Sequence, residues 1–254
     1  MNQIDEMISP EEINVDSFEV KDSLHPRFWN DEQHLDMHIR RALLVIAKDF
    51  IDEYNLGEYV IDDIIMTGSL ANYNWSEEFS DIDLHIIMDT TQLSEDPSLA
   101  KSISDAMRNV WNKTHTDISV GGFPVELYIQ DTHEPHKSSG VYSLLDDEWK
   151  TSPSLDKLSD EIEEDEIKTR AAEYMNLIDK IEMVYNDIDP LKMYHICAKL
   201  LDKIKAERAS GLTNDDAAEL TTGNLIFKSL RRSGHIEKLI DIKRRCFDRA
   251  RSIK

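Results

Sequence analysis

Two aspartates, Asp81 and Asp83, flank Ile82 at the start of a segment, Ile82 to Met88, in which Ile82, Leu84 and Ile86 recur on alternate positions. On a strand, side chains two apart share a face and stand about 6.6 Å apart along it, so these carboxylates can share metal ions while the isoleucines and Leu84 enter a core. Upstream, an apolar run ends in Thr67-Gly68-Ser69, and eleven residues separate Ser69 from Asp81. A small pair at the end of a strand lets backbone amides approach a phosphate closely, the more so at a helix start. Phosphate binding beside a metal site is the chemistry this spacing implies.

A third carboxylate follows in Phe123 to Gln130, where Val125, Leu127 and Ile129 alternate with Glu126, Tyr128 and Gln130. Glu126 thereby lies opposite its strand's apolar face, as Asp81 and Asp83 do. Asp131 competes for the same role, but its odd offset from Glu126 directs it to the other face unless the strand bulges. The chain also contains a control: Asp187-Ile188-Asp189 repeats the tripeptide after a helical segment and before Pro190, without an upstream Gly-Ser, and reads as a helix end and cap. His85 shares the carboxylate face and could touch substrate, though a supporting role is the reading preferred. His34 and His38 sit one helical turn apart but lack a third metal ligand. His133, Glu134 and His136 read as a solvated loop that could reach substrate.

Among the supporting elements, Leu35, Ile39, Ala42, Leu43, Ile46, Phe50 and Tyr54 have helical spacing, with Asn30 or Asp31 as cap. Val60 to Met66 reads as the first strand, Leu70 to Asn74 as a short helix, and Trp75 to Ser80 as the loop returning to the aspartates. Pro97 and Ser98 open a helix to about Thr114, and Val141 to Leu145 forms a last strand. Beyond a boundary at Lys150 to Ser154 the chain reads as wholly helical: Ile167 to Tyr185, Pro190 to about Ala209, a short helix from Thr213, Asn224 to Arg232, and Ile236 to Ala250. The predicted class is α+β, a small mixed sheet followed by an all-helical domain. The predicted divisions are an arm at 1–30, a catalytic domain at 31–152 and a helical domain at 153–254.

Composition agrees with a soluble protein having a sizeable core: 254 residues, 40% hydrophobic and 31% charged, with no apolar run long enough to span a bilayer. The acidic opening lacks a basic, apolar leader, which predicts a cytoplasmic location, the host's if the protein is viral. Cys197 and Cys246 have neither CxxC spacing nor a disulfide framework and read as buried thiols. A net charge of −22 disfavours general affinity for nucleic acid. The segment from Gly223 onward nevertheless holds ten Lys or Arg against three acids. Its Lys228, Arg231, Arg232, Lys238, Arg244 and Arg245 could meet a polyanion or dock on acidic partners within the molecule.

The pattern Gly68-Ser69, eleven residues, Asp81-x-Asp83 and a later strand acid resembles the polymerase-beta-type nucleotidyltransferase superfamily across roughly Asp31 to Trp149. The wording TGSLANYNWSEEFSDIDLH, preceded by LHPRFW, is also similar to nucleotidyltransferase-like proteins of large tailed phages. The superfamily resemblance implies that Gly68, Ser69 and nearby amides hold the triphosphate of an NTP. It implies that Asp81, Asp83 and Glu126 are catalytic, binding two Mg²⁺ ions. The activity implied is transfer of an NMP to an acceptor hydroxyl with release of pyrophosphate. The acceptor stays open, with a small molecule or protein ranked above RNA. The alternative is an inactive nucleotidyltransferase fold serving as an interaction or regulatory protein. The span from Arg231 to His235 is too short for the nuclease motif of helical HEPN domains, so no nuclease activity is assigned.

Overall fold

The computed structural model describes residues 7–136, 138–155, 162–211 and 220–252. The chain divides into two compact units, Glu19–Leu158 and a helical unit of Met1–Phe18 with Ser159–Lys254. The class is α+β.

The first unit is built on a mixed sheet: β1 (Asp63–Thr67), β2 (Ile82–Met88), β3 (Ser119–Val120), β4 (Phe123–Asp131), β5 (Val141–Ser143) and β6 (Glu148–Thr151), in the order β3-β4-β2-β1-β5-β6. β2 lies between antiparallel β1 and parallel β4. A parallel neighbour requires a crossover, which α2 (Pro97–Thr114) supplies. Asp96 starts α2 by accepting from the amides of Ser98 at 2.8 Å and Leu99 at 3.2 Å, with Pro97 at the tolerated first position.

Register divides the sheet by face. Met66, Leu84 and Leu127 form one rung, each wholly buried. On the helices, α1 (Met37–Glu53) buries Leu43, Ala47 and Phe50, and α2 buries Ala100, Ser104 and Trp111. The Phe50 and Trp111 rings meet edge to face at 5.3 Å. Because β3 covers only the start of β4, the Asn112 side chain takes over further along, donating to the Leu127 carbonyl at 3.2 Å and accepting its N–H at 3.1 Å.

Several boundaries differ from the sequence expectation. The first helix starts at Met37, not near Asp31, and its cap is Asp36, which accepts from His38 and Ile39. Asn30 instead closes a turn, its side chain accepting from the amides of Glu32 and His34, and Trp29 bridges Leu35. Leu35 is buried through that bridge, so its fit to helical spacing is fortuitous. β1 starts at Asp63 because Val60 faces solvent, 66% exposed. The helix expected over Leu70 to Asn74 is a single 3-10 turn, Ser69–Ala71. β6 falls where a boundary was expected. The buried Leu24, His25, Phe28 and Trp29 pack in this unit, where Trp29 donates its indole N–H to the Leu70 carbonyl at 2.7 Å.

The helical unit contains α3 (Glu164–Val184), α4 (Pro190–Gly211), α5 (Thr222–Arg232) and α6 (His235–Arg251). Ile167, Ala171, Tyr174, Ile178 and Ile181 are buried along α3 at the expected alternation of four and three. Asp189 accepts from the Lys192 amide at 2.9 Å as α4 begins, so the second Asp-Ile-Asp ends in a cap. The helix expected from Thr213 lies outside the described residues. Cys197 and Cys246 are free and buried, and burial pushes the Cys197 thiol up to about 11. Much of the basic segment is paired within the unit: Lys238 with Asp179 at 2.7 Å and Glu182 at 2.8 Å, and both Arg244 and Arg245 with Asp241 at 2.6 Å. Among the described residues no helix is long and apolar enough to cross a membrane.

Candidate functional site

The rung next to Met66, Leu84 and Leu127 turns to the other face of the sheet. There Thr67 of β1 pairs with Asp83 of β2, and Asp83 pairs with Glu126 of β4. Partners in register stand side by side on one face, so Asp83 and Glu126, distant in sequence, become neighbours. Asp81 lies just before β2 and, by the two-residue period, on the same side. All three acids are half-buried.

Tyr128, two rungs further along β4 and on the same face, records their convergence. Its hydroxyl donates to Glu126 Oε2 at 2.7 Å. Burial raises its pKa well above the ordinary tyrosine range, and the negative charges of Asp83, Glu126 and Asp81 add to the shift. The Arg108 guanidinium lies 5.2 Å from the Tyr128 ring centroid.

At the end of β1, Gly68 adopts φ +78° and ψ −163°, and a β-carbon there would meet Asp83 Oδ2 at 1.9 Å. Glycine is required twice over, by backbone conformation and by the carboxylate pressed against its α-carbon. Ser69 Oγ lies 2.8 Å from Ser80 Oγ, which accepts the Ser76 amide at 2.9 Å, tying the turn to the loop that precedes Asp81. Only a 3-10 turn follows Gly68, so no helix dipole is directed at this point. The missing side chain makes room for the Asp83 carboxylate, which leaves the backbone amides of the turn as the groups that could meet a phosphate.

The donor set suits hard divalent cations: two carboxylates on adjacent strands and a third, Asp81, just before β2, with the Asp83 carboxylate packed against the Gly68 α-carbon. Their ligand atoms are not drawn into the tightest cluster. Among the described residues, Asp89, Asp131 and His133 have ligand atoms all within 4.8 Å of one another. That group lies at the far end of β2 and β4, where Met88 pairs with Asp131. Its oxygens already serve the loops. Asp131 accepts from the Thr90 amide at 2.9 Å and the His133 amide at 2.8 Å, and Asp89 accepts from the Thr91 amide at 2.9 Å. Hydrogen bonds from the Thr90 side chain, ahead of those from backbone amides, lower the Asp131 pKa to about 2. Asp131-x-His133 facing the residue after Met88 was the sequence signal for this group, visible only once β2 and β4 are aligned.

His85 has a partner that the sequence reading missed: its Nδ1 lies 2.7 Å from Gln130 Oε1. Burial, the largest influence on it, lowers its pKa to about 4. Gln130 also donates to the Glu134 carbonyl at 3.1 Å and meets His136 Nδ1 at 3.1 Å, so the loop after β4 is tied to the carboxylate face. His133 goes instead to Asp131, at 3.1 Å.

No family model matches the sequence, and no curated protein matches it. Among solved structures, a STING-associated CdnE c-di-GMP synthase from Capnocytophaga granulosa is similar over 88% of this chain and 85% of its own, with 13% identity and a TM-score of 0.22.

Proposed function

We propose that the protein is a metal-dependent nucleotidyltransferase that moves an NMP from an NTP to an acceptor hydroxyl, releasing pyrophosphate. The observation that carries this reading is the rung Thr67, Asp83, Glu126 with Gly68 against the Asp83 carboxylate. Acids from adjacent strands stand side by side where β1 ends in a glycine turn that packs against one of them. The Asp81-Asp83 spacing and the resemblance described above point the same way.

Asp81, Asp83 and Glu126 would hold two Mg²⁺ ions, which supply charge neutralisation at the attacking and leaving oxygens of an in-line displacement. The protein's own part is positioning. Asp83 and Glu126 are fixed by strand register, Tyr128 orients Glu126 by its hydrogen bond, and the turn at Gly68 and Ser69 admits the triphosphate. The acceptor oxygen attacks the α-phosphorus, the α–β bridging P–O bond breaks, and its electron pair leaves with pyrophosphate. The hydroxyl proton passes to water.

Calorimetry of the full chain with each NTP and Mg²⁺, followed by transfer assays with α-labelled NTP and a cell extract, tests the reading. Expected are metal-dependent NTP binding, lost in Asp83→Asn, and a labelled product. Binding that is absent, or indifferent to Asp83, would sink the proposal and leave the interaction-protein alternative standing.

A further inference from the structure

Past the acid rung, the same face of the sheet opens into a cavity of about 280 Å³. Thr67, a member of the acid rung, lies at its border; Tyr128, His85 and Gln130 line it from the sheet, and Lys101 and Arg108 from α2. His136 contributes from the loop after β4.

The hydrogen bonds fix which ring atoms donate. Gln130 Nε2 faces the Glu134 carbonyl, an acceptor, so it is the amide nitrogen; Gln130 Oε1 then faces His85 Nδ1, which must carry the hydrogen. The second amide hydrogen of Gln130 meets His136 Nδ1, which must be the bare nitrogen. In the neutral rings, His85 therefore offers Nε2 as an acceptor and His136 offers Nε2–H as a donor. Arg108 and Lys101 flank Asp105, at 3.5 Å and 3.7 Å, and Asp105 and Glu134 also line the cavity, so its cations and acids balance, which suits an uncharged, hydroxyl-bearing ligand.

Position assigns the cavity a role. In-line transfer places the attacking oxygen and the leaving group on opposite sides of the α-phosphorus. With the triphosphate at Gly68 and Ser69, beyond one side of the acid rung, attack comes from the opposite side, where the cavity begins at His85 and Tyr128. Its volume is near the lower end of the range for small-ligand clefts, about 300–1,000 Å³.

We infer that this cavity is the acceptor subsite and that the acceptor is a small polyhydroxylated molecule of sugar or nucleoside size. One hydroxyl is presented to the acids, and others are held by His85, His136 and Arg108. The inference rests on the nucleotidyl transfer proposed above. The new bond joins the acceptor oxygen to the α-phosphorus, pyrophosphate departs with the electron pair of the broken bond, and the hydroxyl proton goes to water.

The test combines calorimetry of NTP and Mg²⁺ with transfer from α-labelled NTP to three probes: D-glucose, adenosine and a short RNA oligonucleotide. Wild-type protein is compared with Arg108→Ala, at a partly exposed position, and His136→Ala, at an exposed one, their folding checked by thermal melting. Expected is label on glucose or adenosine, the choice between them separating sugar from nucleoside. Each variant should raise the KM for that probe about tenfold, equivalent to about 1.4 kcal/mol, while the KM for NTP stays within about twofold. Label on RNA alone, a KM for NTP that rises in step, or tight NTP binding with no small probe labelled overturns the inference while leaving nucleotidyl transfer intact. Absence of NTP binding overturns both.

Discussion

A β-carbon at position 68 would lie 1.9 Å from Asp83 Oδ2, on a backbone whose φ of +78° L-residues rarely adopt. Gly68→Ala should therefore cost about 1–3 kcal/mol, read from urea unfolding, and should also displace Asp83 so that Mg²⁺-dependent NTP binding is lost. An alanine variant that is equally stable and binds normally would contradict both expectations. Tyr128→Phe keeps the ring under Arg108 and removes only the donor to Glu126. Groups that orient a metal ligand typically contribute about 10–100-fold in affinity, and a loss of that size is expected in a Mg²⁺ titration of the NTP complex. At this scale the sequence was informative about types and spacing: Gly68, Asp81, Asp83 and Glu126 of the proposed site stand out by residue type and offset alone. It was silent on Tyr128 and Gln130, because a tyrosine or glutamine on a strand's polar side carries no mark of the hydrogen bond it will form across the sheet.

At the scale of the element, caps and strand ends separate local from tertiary information. The start of α2 is readable because Pro97 and Ser98 mark it, whereas the start of α1 is not, since Asn30, Asp31 and Asp36 all have the residue type of a cap. Only the Trp29–Leu35 bridge excludes the first two. Asp36→Ala should cost about 1 kcal/mol in chemical denaturation and Asp31→Ala less than about 0.5 kcal/mol; the reverse order would show that the helix begins earlier. The far end of β4 should be sensitive to acid. The Asp131 pKa falls from 3.8 to about 2 in the fold, so its contribution is fully present above about pH 4 and is lost as pH falls towards 2. Asp131→Asn should flatten that part of the stability profile, measured by thermal melting between pH 5 and 2. β3 and β6 were missed because short edge strands offer too few residues for alternation to show.

At the scale of the whole molecule, a net charge of −22 coexists with a basic C-terminal segment. The ion pairs of Lys238, Arg244 and Arg245 with Asp179, Glu182 and Asp241 show much of that segment serving its own unit. The protein should therefore pass unretarded through a heparin column at about 0.15 M salt; retention that declines steeply with salt would reveal a polyanion surface.

The pairing of Asp83 with Glu126 also bears on how the protein comes into being. Its two strands are joined through the whole of α2, so their contact is one of the non-local closures that form slowly and only after chain entropy has been lost. A chain emerging from the ribosome presents Gly68, Ser69, Asp81 and Asp83 well before Glu126. Until β4 docks, the proposed metal site lacks an acid. Gain of Mg²⁺-dependent nucleotide binding during refolding would thus serve as a clock for the last parallel pairing of the sheet.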